Sequence, residues 1–118
     1  MTTIDELIIE ASEARDRFWF IQTLTIVEQT DATITIRIVI NPELFVQVFF
    51  SQRSQRLSFA LVGSAGRLYG RDREHGQWHR HPFGQPEQHE VTPEGMSAQS
   101  LVQFLTEVED ILVSNNLI

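Results

Sequence analysis

The sequence predicts an α+β fold: an antiparallel meander of about five or six strands, flanked by an N-terminal and a C-terminal helix. Three observations predict it. Thr33 to Ile40 and Leu44 to Ser51 alternate apolar and other side chains with period two, as strands with one buried face do. Both ends of the chain instead repeat apolar residues at helical spacing. The breaks between the extended segments are short and polar, which favours antiparallel neighbours.

Thr3 and Glu6 fit a capping box, in which each side chain satisfies the other's free backbone amide. Ile4, Leu7, Ile8 and Ala11 follow on one face, so a helix is expected over 4–15. From Phe18 the pattern turns to alternation, Trp19, Ile21, Thr23, Thr25 and Val27 against Phe18, Phe20, Gln22, Leu24 and Ile26. Glu28-Gln29-Thr30-Asp31 then makes a polar turn. The next strand places Ile34, Ile36, Ile38 and Ile40 on one face, and Asn41-Pro42 ends it. Leu44, Val46, Val48 and Phe50 define a third strand and Leu57 to Val62 a fourth. Past the turn at Gly63 to Gly66, Arg67 to Asp72 and Gln77 to His81 are short extended segments. Residues 82–96 hold Pro82, Gly84, Pro86, Pro93 and Gly95, the composition of an irregular surface loop. Ser97 then reads as an N-cap, and Leu101, Phe104, Leu105, Val108, Ile111 and Leu112 stripe a helix over 98–114.

The 118 residues suit one domain, 1–118, and the proportions of 42% apolar and 21% charged residues are those of a soluble globular chain. Cysteine is absent, which excludes disulfides, a thiolate nucleophile and cysteine-bound zinc. No apolar run approaches a membrane span, and Met1 to Glu10 lacks the basic start of a secretory signal. A cytoplasmic protein without a membrane role is expected. A free edge of the meander could support a homodimer.

The net charge is −7, and every cationic side chain is Arg. Residues 51–84 hold six of the nine Arg (Arg53, Arg56, Arg67, Arg71, Arg73, Arg80) against Asp72 and Glu74, a local balance of +4. Residues 85–118 hold six acids and no Arg. Such a basic middle is either a solvated hairpin or a surface for phosphate, RNA or an acidic partner.

All four histidines, His75, His79, His81 and His89, fall within 15 residues. On an extended Gln77 to His81, His79 and His81 project from one side and Trp78 and Arg80 from the other. Two imidazoles with an arginine suffice for metal-independent RNA cleavage: one takes the 2′-hydroxyl proton and the other protonates the leaving oxygen. Arg67, Arg71 or Arg80 would stabilise charge building on the phosphate, with Tyr69 and Trp78 as further substrate contacts. This reading needs no cofactor. A metal site of His79, His81 and His89 with Glu87 or Glu90 is the competing chemistry. A purely structural role, with the His-Pro dipeptide pinning its loop through hydrogen bonds, is the third. Glu107, Glu109 and Asp110 are expected on the solvated face of the last helix.

Arg67-Leu68-Tyr69-Gly70-Arg71-Asp72, Trp78-His79-Arg80-His81-Pro82, and then Pro86 and His89 resemble the TumE-like family of small prokaryotic toxins. Phe104 to Leu112 resembles that family's C-terminal helix. The resemblance implies a cytoplasmic toxin neutralised by a cognate antitoxin protein, with RNA as the suspected target. It carries over Arg67, Asp72, His79, His81 and His89 as the site. The chain departs from the family pattern in having single histidines where pairs are common, and Gln47 where an acid is common.

Overall fold

The computed structural model describes residues 2–118. Its elements run α1 (Ile4–Arg17), β1 (Thr23–Gln29), β2 (Thr33–Asn41), β3 (Leu44–Ser51), β4 (Arg56–Gly63), β5 (Gly66–Glu74), β6 (Gln77–His81) and α2 (Leu101–Ser114). The six strands form one antiparallel sheet in sequence order, so the fold is the α+β meander between two helices that the patterning predicts.

One face of the sheet is dry. Ile34, Ile36, Ile38 and Ile40 of β2, Val46, Val48 and Phe50 of β3, and Leu57, Phe59 and Leu61 of β4 are buried there. Leu7, Ala11 and Ala14 of α1 and Leu101, Phe104, Leu105, Val108 and Leu112 of α2 join the same core. Each large apolar side chain so buried contributes about 1.5–3 kcal/mol. A one-residue slip of β3 would send Val46, Val48 and Phe50 to the opposite face, so burial sets the register. That opposite face carries no helix. Its residues, such as Thr35, Arg37, Phe45, Gln47 and Ser58, are half-buried.

Two boundaries differ from expectation. The first strand begins at Thr23, not Phe18. Phe18 is the C-cap of α1, donating its N–H to the Ala14 carbonyl, and Phe18 and Phe20 plug the corner between helix and sheet. Burial of alternate residues imitates a strand there, while Trp19 stands 69% exposed between them. The second helix begins at Leu101, and its N-cap is Ser100, which forms a capping box with Gln103. Ser97 instead donates its hydroxyl to the Glu94 carbonyl and closes the preceding turn. Among the described residues, no helix is long and apolar enough to cross a membrane.

Candidate active site

The β5–β6 hairpin builds most of the site. Glu74 pairs with Gln77, which leaves His75 and Gly76 as a two-residue turn with φ of 52° and 76°. Two left-handed residues in succession match the twist of such a hairpin, and Gly76 adopts its angle without strain. His75 is therefore a turn residue. The register then sets Ser58, Asp72 and His79 side by side across β4, β5 and β6 on the open face. The neighbouring row is Ala60, Gly70 and His81.

The loop after β6 brings the third imidazole. Gln85 donates its N–H to the Pro82 carbonyl, and Gln88 donates to that of Gln85, so the chain turns back on itself within a few residues. It returns antiparallel to β6: the Arg80 and Glu90 backbones exchange hydrogen bonds of 3.2 and 2.7 Å. That bridge puts His89 across from His81. Because successive side chains alternate, Glu90 turns to the helix side with Arg80, and His89 turns to the open face. The three rings lie 4.6–5.1 Å apart, centre to centre. One nitrogen from each falls within 4.8 Å of the other two.

Asp72 completes the cluster. Its Oδ2 lies 3.0 Å from His81 Nε2 and 3.6 Å from His79 Nε2, while Oδ1 accepts 2.7 Å from the Ser58 hydroxyl. His81 Nδ1 lies 2.9 Å from the Pro86 carbonyl oxygen. Burial and the Arg67 guanidinium push the His81 imidazole below its ordinary pKa, against the opposing pull of Asp72 and Pro86. Arg67 reaches the cluster by folding over Gly70, which has no side chain to obstruct it. Its Nη1 is 3.6 Å from Asp72 Oδ2, and its Nη2 is 3.3 Å from His81 Nδ1. A Cβ on Gly70 would sit 3.3 Å from Arg67 Cδ and 3.0 Å from the Phe59 carbonyl oxygen. His81 is buried, His79 half-buried and His89 exposed, so access runs from the His89 side. A cleft of ≈ 250 Å³ opens there against His79 and His89, walled by Gln77, Trp78, Val91 and Met96.

Arg67, Asp72, His79, His81 and His89 thus come together. Of the residues expected to contact substrate, Trp78 lines the cleft beside them, whereas Tyr69, Arg71 and Arg80 lie on the side that faces α2. Arg71 is 2% exposed and donates from Nε and Nη2 to Glu107 at 2.9 and 2.8 Å. Tyr69 is buried and donates its hydroxyl to the same carboxylate at 2.8 Å; burial and Glu107 push its pKa up to about 12. Arg80 pairs with Glu90. Trp78 packs against Phe59 and is largely buried where it lines the cleft. Tyr69 and Arg71 thus have their polar atoms engaged by Glu107 and the 94–95 carbonyls, and Arg80 is held by Glu90 with its Nε unpartnered.

The acids differ as well. Asp110 is exposed as expected and Glu109 accepts 2.7 Å from the exposed Trp19 Nε1, whereas Glu107 is not on a solvated face but held beneath α2 by Arg71. The carboxylate beside the histidines is Asp72, whereas Glu90 is held by Arg80 and Thr92. The basic middle is not a basic surface either. Of its six arginines, Arg53 and Arg56 alone are exposed.

Ser58, Gly70 and the Pro86 carbonyl belong to the site and were not anticipated. Strand register would have found Ser58 and Gly70, both inside predicted strands. Nothing in the sequence signals the carbonyl. No protein-family model, curated protein or solved structure matches this chain.

Proposed function

We propose that the protein is an RNA-directed enzyme of the toxin type, cleaving phosphodiester bonds at the Arg67–Asp72–His79–His81–His89 cluster. The observation that supports it is the convergence of three imidazoles, a carboxylate and a guanidinium at one end of the open sheet face, beside a cleft of ≈ 250 Å³. Arg67 is the one guanidinium placed to meet the nonbridging oxygens of a phosphate there. His79 and His89 line the cleft and are the groups that can exchange protons with the attacking and leaving oxygens. His81, buried behind them, is a positioning residue.

The metal-free two-imidazole course asks for an acid and a base on opposite sides of phosphorus. Two hydrogen bonds of about 2.8 Å, with the phosphoryl group between them, require roughly 6 Å or more between the nitrogens. The nearest nitrogen of each ring lies within 4.8 Å of the other two, so this course must use the outer ring nitrogens or a small outward turn of the exposed His89.

The test is purified, tag-free protein incubated with single-stranded RNA, alongside growth of a bacterial host after induced expression. Cleavage and growth arrest are expected, both lost in His89→Ala and Arg67→Ala proteins of unchanged melting temperature. Arrest should be relieved by co-expressing the cognate antitoxin. Intact RNA and normal growth with soluble, folded protein would refute the proposal.

A further inference from the structure

We infer that Asp72, His79, His81 and His89 form a binding site for one divalent transition-metal ion, of the zinc, cobalt or nickel class. The inference rests on the same cluster as the proposed function, but not on RNA being the substrate.

The donor set is the first argument. Three imidazoles and one carboxylate, with no thiolate, suit borderline divalent ions better than magnesium or calcium, which ask for oxygen shells. Spacing is the second. A tetrahedral ion with bonds near 2.0–2.1 Å holds its ligand atoms roughly 3.3 Å apart. The Asp72 Oδ2 separations from His81 and His79, 3.0 and 3.6 Å, straddle that value. The three nitrogens lie within 4.8 Å of one another, somewhat wider than that, and His89, the exposed ring, is the one free to turn inward.

The surroundings of the ligands are the third argument. A metal-bound imidazole ordinarily donates its remote N–H to a fixed acceptor, which orients the ring. His81 has that acceptor in the Pro86 carbonyl, 2.9 Å from Nδ1. Nδ1 also lies 3.3 Å from Arg67 Nη2; with its proton directed to Pro86, Nε2 is left bare 3.0 Å from a carboxylate oxygen, where an ion could be shared by the two. Asp72 is braced in the same way: Ser58 holds Oδ1 at 2.7 Å, which turns Oδ2 toward the imidazoles. Three ligands sit on one hairpin, and the fourth arrives on a loop closed back onto that hairpin by the Arg80–Glu90 bridge. The structure pre-forms the site apart from one exposed side chain, His89. The four protein ligands would complete a tetrahedral shell, so a water or substrate oxygen would join the ion only by displacing the exposed His89 or by expanding the shell to five. The ion would lower the pKa of such a water.

Arg67 sets a condition on this site. Its guanidinium is 3.6 Å from Asp72 Oδ2, where it competes with the ion for the carboxylate. Removing that charge should tighten binding, the opposite of its effect on phosphate handling.

The experiment uses tag-free protein stripped with a chelator and titrated with zinc chloride by calorimetry, and with cobalt chloride by visible absorption. One equivalent of zinc per chain is expected, with a rise in melting temperature and a tetrahedral cobalt band. His89→Ala and Asp72→Asn should each weaken zinc binding by roughly tenfold or more. His89→Ala should leave the metal-free melting temperature unchanged, because that side chain is exposed. Arg67→Gln should bind zinc at least as tightly as the parent. No saturable uptake, or uptake unaffected by both His89→Ala and Asp72→Asn, overturns the inference. Zinc uptake without RNA cleavage sustains the site and refutes the proposed function. RNA cleavage by stripped protein that takes up no zinc does the reverse.

Discussion

Replacing Glu107 with alanine tests whether the ion pair beneath α2 holds the hairpin and its loop together. Glu107 accepts three hydrogen bonds, from Arg71 Nε at 2.9 Å, Arg71 Nη2 at 2.8 Å and the Tyr69 hydroxyl at 2.8 Å. Without it, the Arg71 guanidinium keeps only the carbonyls of Glu94 and Gly95, at 2.9 and 3.3 Å. Stranding a buried charge costs about 3–5 kcal/mol. Arg71 is 2% exposed, but the Glu107 side chain is 28% exposed, so water can enter the vacated space. The lower end, about 3 kcal/mol, is therefore expected. For 118 residues the entropy of unfolding is about 0.25 kcal/mol/K, which converts that loss into a fall of about 12 °C in Tm. Thermal unfolding followed by circular dichroism or calorimetry measures it, with Glu107→Gln falling between parent and alanine. A fall below about 3 °C would show that the Arg71–Glu107 pair is no stronger than an exposed one. The same substitution should raise hydrogen exchange at the amides of 90–96, since Arg71 ties that segment to the sheet.

Two further outcomes follow from the same geometry. Tyr69 is the chain's single tyrosine, and lysine and cysteine are absent, so the tyrosinate absorbance reports one buried phenol. It should titrate at about 12, not 10, in folded protein. A folded pKa above the unfolded one means stability is fully present below pH 10 and lost as pH rises through about 12, by roughly 3 kcal/mol. An ordinary midpoint in the folded chain, or a Tyr69→Phe protein with the same alkaline loss of stability, would contradict this. Gly70→Ala should displace Arg67 without touching a histidine, because the new Cβ would lie 3.3 Å from Arg67 Cδ. We expect about 1–3 kcal/mol of destabilisation from overpacking and at least a tenfold loss of RNA cleavage with zinc affinity retained; unchanged cleavage would remove Arg67 from the mechanism.

The sheet was legible because isoleucine and valine alternation is driven by burial, the strongest of the forces at work, and β2 and β3 follow it without a break. Phe18 and Phe20 show where that logic misleads: alternate burial needs no strand when a corner has two cavities to fill. The site was legible in part. His79 and His81 share a face by period two alone, but His89 joins them only through the Arg80–Glu90 bridge, a long-range pairing that no local pattern encodes. The arginines were misread for a related reason. Sequence shows that Arg71 and Arg80 are near His79 and His81, but strand parity sends them to the other face, where α2 and the 82–96 loop supply carboxylates. Glu107 escapes sequence reading with them, since one of three acids on an amphipathic helix gives no sign of a buried partner.

The division of charge along the chain has a structural meaning that bears on the chemistry. The basic middle meets the acidic C-terminal third in two ion pairs beside the hairpin, Arg71 with Glu107 and Arg80 with Glu90, with Glu94 a more distant neighbour of Arg80. Once these are made, the cluster keeps a single guanidinium, Arg67, and that charge is already set against Asp72. The formal sum at the site is +1 and −1, or zero, on a protein of net charge −7. A phosphodiester approaching such a surface meets repulsion at long range and little attraction at close range. A divalent ion bound as inferred among Asp72, His79, His81 and His89 would change the local sum from zero to +2 and would free Arg67 from the carboxylate. On the proposed function it would supply at the cluster the charge an acidic protein needs to hold RNA, so binding of RNA should depend on zinc more steeply than on any arginine of the basic middle. If stripped protein binds RNA as tightly as zinc-loaded protein in a filter or anisotropy assay, this coupling is absent and the phosphate must be held by Arg67 alone.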